Sequence, residues 1–522
     1  MNKILLFSTL TVFFVTCTIR AIPTYLNYPY PIGYDSVNYY LPFLYNMYDG
    51  RIDWTTSYPI YLLIVTFTSQ VLLIDLYTSF NLINIILYGV LGISIFFLFT
   101  HIIRISSLPS MLFSIFVLLQ LSVLRISWDL YRDLLSISLL NFCLILINLT
   151  SRNYKNYYHS IVSYFLIFCM ILISVFADRM ISLLLVSTTF VFSIAFKNKY
   201  LFSISSLFIV LFFVYFVTFD NITVFSMESN IVDTLINPLY DLNSYSTLEI
   251  LVVFISLYGI LLPFFIFGFL SKLSSFLILK IPTIITLVCS FVWIIVPNYE
   301  YLVPERWVII SGVFISIFAA YGFSIINSLV KSSHTRQITL IIFFSSFMIY
   351  GFIFILSSYE TTATIPSLFQ DLTHFVMPVV MSTNTFDIHQ SKNIVQVIDW
   401  INDNTSSSIV IGSIHWRGWF SLFLDNSHIF KYEENITDDD VLKNYTTVLS
   451  NITRPVLVKE HLKLCNYHPN DRNSNITSVI LVSSNDDLDM NLSSLEIYTS
   501  GQFNVYNLSK ILCWDSQLQK TR

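Results

Sequence analysis

The sequence predicts a polytopic α-helical membrane protein of about 11–12 spans, followed by a C-terminal extracytoplasmic α/β domain. Three observations carry this. Hydrophobic residues make up 55% of the 522 positions and charged residues only 11%. Apolar runs of the ~20 residues needed to cross a hydrocarbon core about 30 Å thick recur between residues 4 and 357. Beyond residue 358 the chain becomes charged and Asn/Ser-rich, with no spanning run. The apolar runs lack the polar–apolar alternation of a membrane barrel. A net charge of −5 argues against a nucleic-acid partner, which needs a basic patch. With six cysteines but no CxxC pair, and no HExxH, spacing supports no zinc site.

In order, the expected spans are 4–21, 82–100, 107–124, 133–150, 160–177, 180–196, 200–218, 247–270, 277–297, 307–328 and 337–357, with 59–79 as a further run. Lys and Arg in short connections favour the cytoplasm. The basic connections carry Arg104, Arg152 with Lys155, Lys197 with Lys199, Lys272 with Lys280, and Lys331 with Arg336. Connections 125–132, 178–179, 219–246 and 298–306, and everything after 358, are left facing outward. The start of the chain conflicts with this pattern. If helix 4–21 enters with Lys3 inside, a crossing at 59–79 would put Arg104 outside and invert every later loop. We therefore expect 59–79 to lie along the outer interface or to dip in and return, consistent with Pro59, Gln70 and Asp75. A cleaved signal peptide at 1–21, or a mis-divided helix, are the other readings.

Residues 1–357 are thus read as the membrane domain, with 22–81 as its first outer loop and juxtamembrane helix, 358–389 as a connection and 390–522 as the outer domain. In the last, 391–403 reads as an amphipathic helix, 437–450 as helical, and 408–412, 428–432, 455–458 and 478–483 as strands. Sequons at Asn404, Asn435, Asn444, Asn451, Asn475, Asn491 and Asn507, with Asn221 in loop 219–246, agree with an outer location. Asn148, on the inner side, shows that such triplets also arise by chance in an Asn/Ser/Thr-rich chain. Cys465 and Cys513 are the only cysteines of the outer domain and could pair in an oxidising compartment.

The scarce charges gather where apolar runs begin or end: Gly33-Tyr34-Asp35, Trp128-Asp129-Leu130-Tyr131-Arg132-Asp133, Ala177-Asp178-Arg179 and Pro304-Glu305-Arg306-Trp307. On the topology above, all four face outward. Interfacial anchoring, with Trp128 and Trp307 as belt aromatics, is the plain alternative to a site, and Asp129 and Asp178 also stand where they could cap helices. The chemistry such a set suits is transfer from a lipid-linked phosphate donor. A guanidinium binds phosphate oxygens bidentately and stays charged, and a carboxylate can take the proton of an acceptor hydroxyl.

A first span followed at once by a loop with an Asp (Pro31-Ile32-Gly33-Tyr34-Asp35-Ser36-Val37-Asn38-Tyr39-Tyr40) resembles the GT-C superfamily of membrane glycosyltransferases. Leu124–Asp133 is similar to the second outer-loop motif of uncharacterised archaeal GT-C-like proteins, and Glu305-Arg306-Trp307 resembles the late arginine that contacts the donor phosphate. The resemblance implies Asp35 as catalytic carboxylate. It implies Arg306, with Arg132 or Arg179, on the donor phosphate, and Asp129, Asp178 and Glu305 as supporting carboxylates. Membrane lipid and a polyprenyl-phosphate-linked sugar are the implied partners. Some relatives use a divalent metal with carboxylates, although no ligand set can be assembled here from spacing.

The sequence also departs from the superfamily. His415-Trp416-Arg417-Gly418-Trp419-Phe420 lacks the Asp-Tyr-Gly core of the WWDYG motif of oligosaccharyltransferases, which disfavours direct transfer to protein Asn. It could bind sugar, or be a buried Trp pair. The doubled acidic motif of protein mannosyltransferases is absent from the first loop, which offers single Asp35, Asp49 and Asp53. The competing reading is a non-catalytic membrane protein whose outer domain binds glycan or a partner. A transporter is disfavoured, because the spans hold almost no ionisable residues away from their mouths.

Overall fold

A computed structural model describes residues 3–33, 35–48, 59–152, 157–219, 247–271, 277–291, 304–329, 332–357, 388–405, 408–412, 416–425, 427–431, 478–484, 496–501 and 503–507. The chain divides into two compact units, Met1–Tyr28 with Leu44–Thr385, and Pro29–Phe43 with Phe386–Arg522. The second unit therefore takes Pro29–Phe43 out of the first loop, a segment the sequence reading had left with the membrane domain.

Each expected span has a helical counterpart. Helix α1 is Lys3–Asn27, α2 is Leu41–Tyr48, α3 is Pro59–Leu72, and α4 is Leu76–Phe97, which runs on through a π-helical turn at Leu98–Ile103. Helices α7 (Tyr131–Arg152), α8 (Tyr157–Ala177), α9 (Arg179–Ala195) and α10 (Lys199–Phe219) follow the expected bounds closely. So do α13 (Leu277–Phe291), α14 (Pro304–Ser328) and α15 (Ser333–Ser357).

Two expected spans are broken. Run 107–124 becomes α5 (Ser107–Leu118) and α6 (Leu121–Asp129), bent by 67°. Gln120 turns extended at the break (ψ 140) and its side-chain amide donates to the Phe116 carbonyl, so a group released by the break is satisfied. Run 247–270 becomes α11 (Thr247–Tyr258) and α12 (Leu262–Leu270), separated at Gly259 and restarted by Pro263 in the first turn. Among the described residues four helices are long and apolar enough to cross a membrane, and a fifth if the bent pair counts as one span.

Run 59–79 is not one helix. Helix α3 stops at Leu72, Leu73 takes a left-handed conformation (φ 54), and Asp75 caps α4 by accepting from the Thr78 amide at 2.8 Å. The 14 residues of α3 reach about 21 Å at 1.5 Å per residue, short of the ~30 Å core.

Several polar side chains inside the bundle hydrogen-bond to backbone or to each other, as an apolar solvent favours. Tyr61 donates to Asn84 at 2.6 Å and Asn141 to Ser94 at 3.0 Å, each joining two helices. Helices α12 and α14 cross at Gly268 and Gly322. A Cβ on Gly268 would overlap the Phe318 carbonyl oxygen, and one on Gly322 the Phe264 carbonyl oxygen.

The second unit holds a five-stranded sheet of order β2-β1-β3-β5-β4, made of β1 (Ser408–Ile411), β2 (Ile429–Lys431), β3 (Ser478–Ser484), β4 (Glu496–Ser500) and β5 (Phe503–Asn507). The first three strands are parallel, and β4–β5 is an antiparallel hairpin turning at Gly501 (φ 58). Helix α16 (Ile388–Asn404) packs Ile394 and Ile398 into a core with Val410, Trp419, Ile480 and Val505. Helix α17 (Arg417–Phe423) contributes Trp419 and Phe420. The hairpin at 496–507 was not expected from sequence. Expected elements 437–450 and 455–458 lie outside the described residues.

Candidate functional site

Three of the four charged junctions meet in the first unit. Arg306, in the first turn of α14, donates from Nε to one oxygen of Asp133 at 3.0 Å and from a terminal nitrogen to the other at 2.8 Å. The same terminal nitrogen reaches Asp178 at 3.3 Å. Asp133 is completely buried and the Asp178 side chain is 3% exposed, whereas Arg306 keeps 21% of its side chain accessible. The two carboxylates therefore form a buried floor under a guanidinium that reaches the surface of the unit.

Local sequence explains the convergence. Asp133 lies in the first turn of α7, Asp178 is the N-cap of α9, and Pro304 opens α14 just before Arg306. Three helix N-termini thus point their positive ends at one place, which suits carboxylates and other anions. Asp178 serves twice: one oxygen accepts from the Met180 and Ile181 amides at 2.9 and 3.0 Å, and the other faces Arg306. Capping and pairing are therefore joint roles of one side chain. Arg132 is close enough for its charge to act on Asp178.

Arg20 was missed in the sequence reading, although it is the lone charge inside the first apolar run. Its side chain is buried; Nε donates to the Ser127 carbonyl at 2.8 Å, one terminal nitrogen to Thr24 at 2.6 Å, and the other to the Tyr131 hydroxyl at 3.3 Å. The guanidinium carbon also lies 5.8 Å from the Tyr131 ring centroid, a cation–π distance. Tyr131 in turn stacks on Tyr61 at 6.2 Å. Arg20 thereby ties α1 to the α6–α7 junction, two residues before Asp133. A charge within an apolar run was the available signal.

Asp35 belongs to the second unit. Gly33 adopts φ 87, a conformation that favours glycine, and the chain then makes a π-helical turn over Ser36–Tyr40. Asp35 precedes that turn, half-buried, and unlike Asp75 and Asp178 its carboxylate makes no capping hydrogen bond. Val37 is buried in the core of this unit, and the Asn38 side-chain oxygen accepts from the Gly418 amide at 2.8 Å.

The remaining expected residues divide clearly. Arg179 is exposed in the first turn of α9. Asp129 is the last residue of α6 and Glu305 the second of α14; their side chains lie outside the description, as do Cys465, Cys513 and all of the sequons except Asn404, Asn507 and Asn148. Asn404 ends α16 and Asn507 ends β5. Trp416 and Trp419 are 6% and 1% exposed, so they pack the core and offer no open stacking face. Among the described residues no three His, Cys, Asp or Glu side chains group as metal ligands.

No protein-family model and no curated relative matches this chain. Its structure does match the crystal structure of ArnT from Cupriavidus metallidurans bound to undecaprenyl phosphate, with a TM-score of 0.50 and 13% identity over 97% of this chain and 98% of that one. This chain has the GT-C fold. At that identity the likeness is one of fold, and it spans both chains nearly end to end. With the apolar helices, it makes the protein a multi-pass membrane protein of GT-C architecture.

Proposed function

We propose that this protein is a membrane glycosyltransferase that moves a sugar from a polyprenyl-phosphate-linked donor to a lipid, glycan or protein acceptor on the outer membrane face. The observation that carries the reading is Arg306, held by two buried carboxylates at a point where three helices begin, in a chain of GT-C fold. A guanidinium fixed in this way keeps its orientation while part of it stays accessible to an anion. The fold neighbour was crystallised with undecaprenyl phosphate, which adds support for a lipid phosphate as the anion.

In the proposed reaction the acceptor oxygen attacks the anomeric carbon and the bond from that carbon to the phosphate oxygen breaks. The acceptor proton passes to the Asp35 carboxylate. The released polyprenyl phosphate carries the new negative charge, and Arg306, aided by Arg132 or Arg179, stabilises it. Asp133 and Asp178 fix the arginine and do not themselves touch sugar.

The test is a comparison of lipid-linked and surface glycans with and without the gene, and with Asp35→Asn in its place. Accumulation of one lipid-linked sugar in the deletion and in the variant is expected. Unchanged pools in the deletion would defeat the reading. A topology test runs beside it: a tag inserted at Leu73, in the exposed turn between α3 and α4, should be reachable from outside the cell.

A further inference from the structure

We infer that Asn38 and Gly418 are positioning residues for Asp35, so that the C-terminal domain sets the geometry of the carboxylate carried by the first loop. The inference rests on the proposed role of Asp35. Its own basis is the packing inside the second unit.

Pro29–Phe43 is an integral part of that unit, although about 340 residues separate it from the next part of the same unit. Val37 is 2% exposed in a core otherwise built from the C-terminal domain, which includes Trp416, Trp419 and Phe420. Tyr30 packs against the same core. Asp35 sits between these two anchors, on a backbone bent by Gly33 and closed by the turn Ser36–Tyr40.

The tightest point is at Gly418. Its amide donates to the Asn38 side chain at 2.8 Å, and a Cβ there would overlap the Val37 carbonyl oxygen and lie 2.7 Å from the Asn38 Cα. Only a residue without a side chain lets α17 approach the turn this closely. The Trp-Arg-Gly-Trp sequence thereby gains a role that neither sugar stacking nor core filling alone explains: its two Trp side chains form the core and its glycine receives the first loop. The Asn38 side chain fixes the turn's register on α17, three residues from the Asp35 carboxylate.

The experiment measures release of polyprenyl phosphate from a polyprenyl-phosphate-linked hexose by the full-length chain in phospholipid nanodiscs, with an envelope extract of the deletion strain supplied as acceptor. Asn38→Ala should lower kcat at least tenfold and leave KM for the donor within about twofold, because donor contacts lie elsewhere. Asn38→Asp keeps an acceptor for the Gly418 amide and should restore most of the rate. Gly418→Ala should lower kcat as well and speed backbone hydrogen exchange over residues 35–40; the Asn38 pair decides the matter if that variant does not fold. Release abolished by Asp35→Asn but unchanged in Asn38→Ala and Gly418→Ala would overturn the inference and leave the function standing. Release that survives Asp35→Asn would remove Asp35 from the mechanism and this inference with it. A wild-type chain that releases nothing from the hexose donor would count against the glycosyltransferase reading itself.

Discussion

Arg306 grips both oxygens of Asp133, and the carboxylate it grips has no contact with solvent. Removing one partner of such a pair strands the other, whereas removing both need not cost much. Asp133→Ala should therefore lower stability in detergent by about 3 kcal/mol, within the range for breaking buried pairs. The double variant Asp133→Leu with Arg306→Leu should recover a good part of that loss. Thermal unfolding of the purified protein measures both. A loss in the double variant equal to the sum of the losses in the two single variants would show that the pair is not coupled.

Arg306→Lys separates charge from geometry. A lysine keeps the positive charge but cannot span both oxygens of Asp133 and also reach Asp178. If the fork orients a lipid phosphate, sugar transfer should fall about 100-fold, in line with loss of one preorganised donor. Full activity in the lysine variant would mean that a point charge suffices.

Arg20 and Tyr131 invite a double-mutant cycle. Arg20→Met takes from the Ser127 carbonyl and the Tyr131 hydroxyl the Arg20 donor that each accepts from. Each unsatisfied group costs about 1–3 kcal/mol. With Tyr131→Phe already in place, the Arg20→Met penalty should shrink by about 1 kcal/mol. Strict additivity of the two melting shifts would show that the contact contributes nothing.

His428 gives the second unit an acid limit. Burial pushes its imidazole below the ordinary value, only partly opposed by Asp425, and Nδ1 accepts from the Ser408 amide at 3.2 Å. The folded state therefore prefers neutral imidazole. Stability should be complete above about pH 6.5, where the unfolded form also loses its proton, and decline as pH falls from there toward the lower folded value. Trp fluorescence followed against pH and denaturant should show that limb, and His428→Gln should flatten it.

Much of the bundle was legible because membrane spans are written in composition alone. The limits of α7, α8, α9 and α10 fall within a few residues of the apolar runs 133–150, 160–177, 180–196 and 200–218. Breaks were harder to read. Leu119-Gln120 and Gly259 interrupt runs that stay apolar on average, so the backbone reveals the bends. Within the candidate site, Arg306 and Asp178 were visible as charges at span mouths. Asp133 was visible among the same charges but was given no role, because sequence does not show which charges at a span mouth converge. The Asn38–Gly418 contact was invisible, since nothing local links residues 380 positions apart.

That separation also bears on how the protein is made. Val37 is synthesised among the first residues of the chain, yet its core partners Val482, Phe503 and Val505 come near the last of the described residues. Closing so long a loop is slow, and the small domain cannot complete its core until the bundle has been threaded. A fragment beginning at residue 390 would lack an internal piece of its own core and should aggregate. Fusing residues 29–43 to it should yield a soluble domain, and a chain stalled before residue 503 would present its unburied apolar surface to whichever chaperones meet nascent membrane proteins.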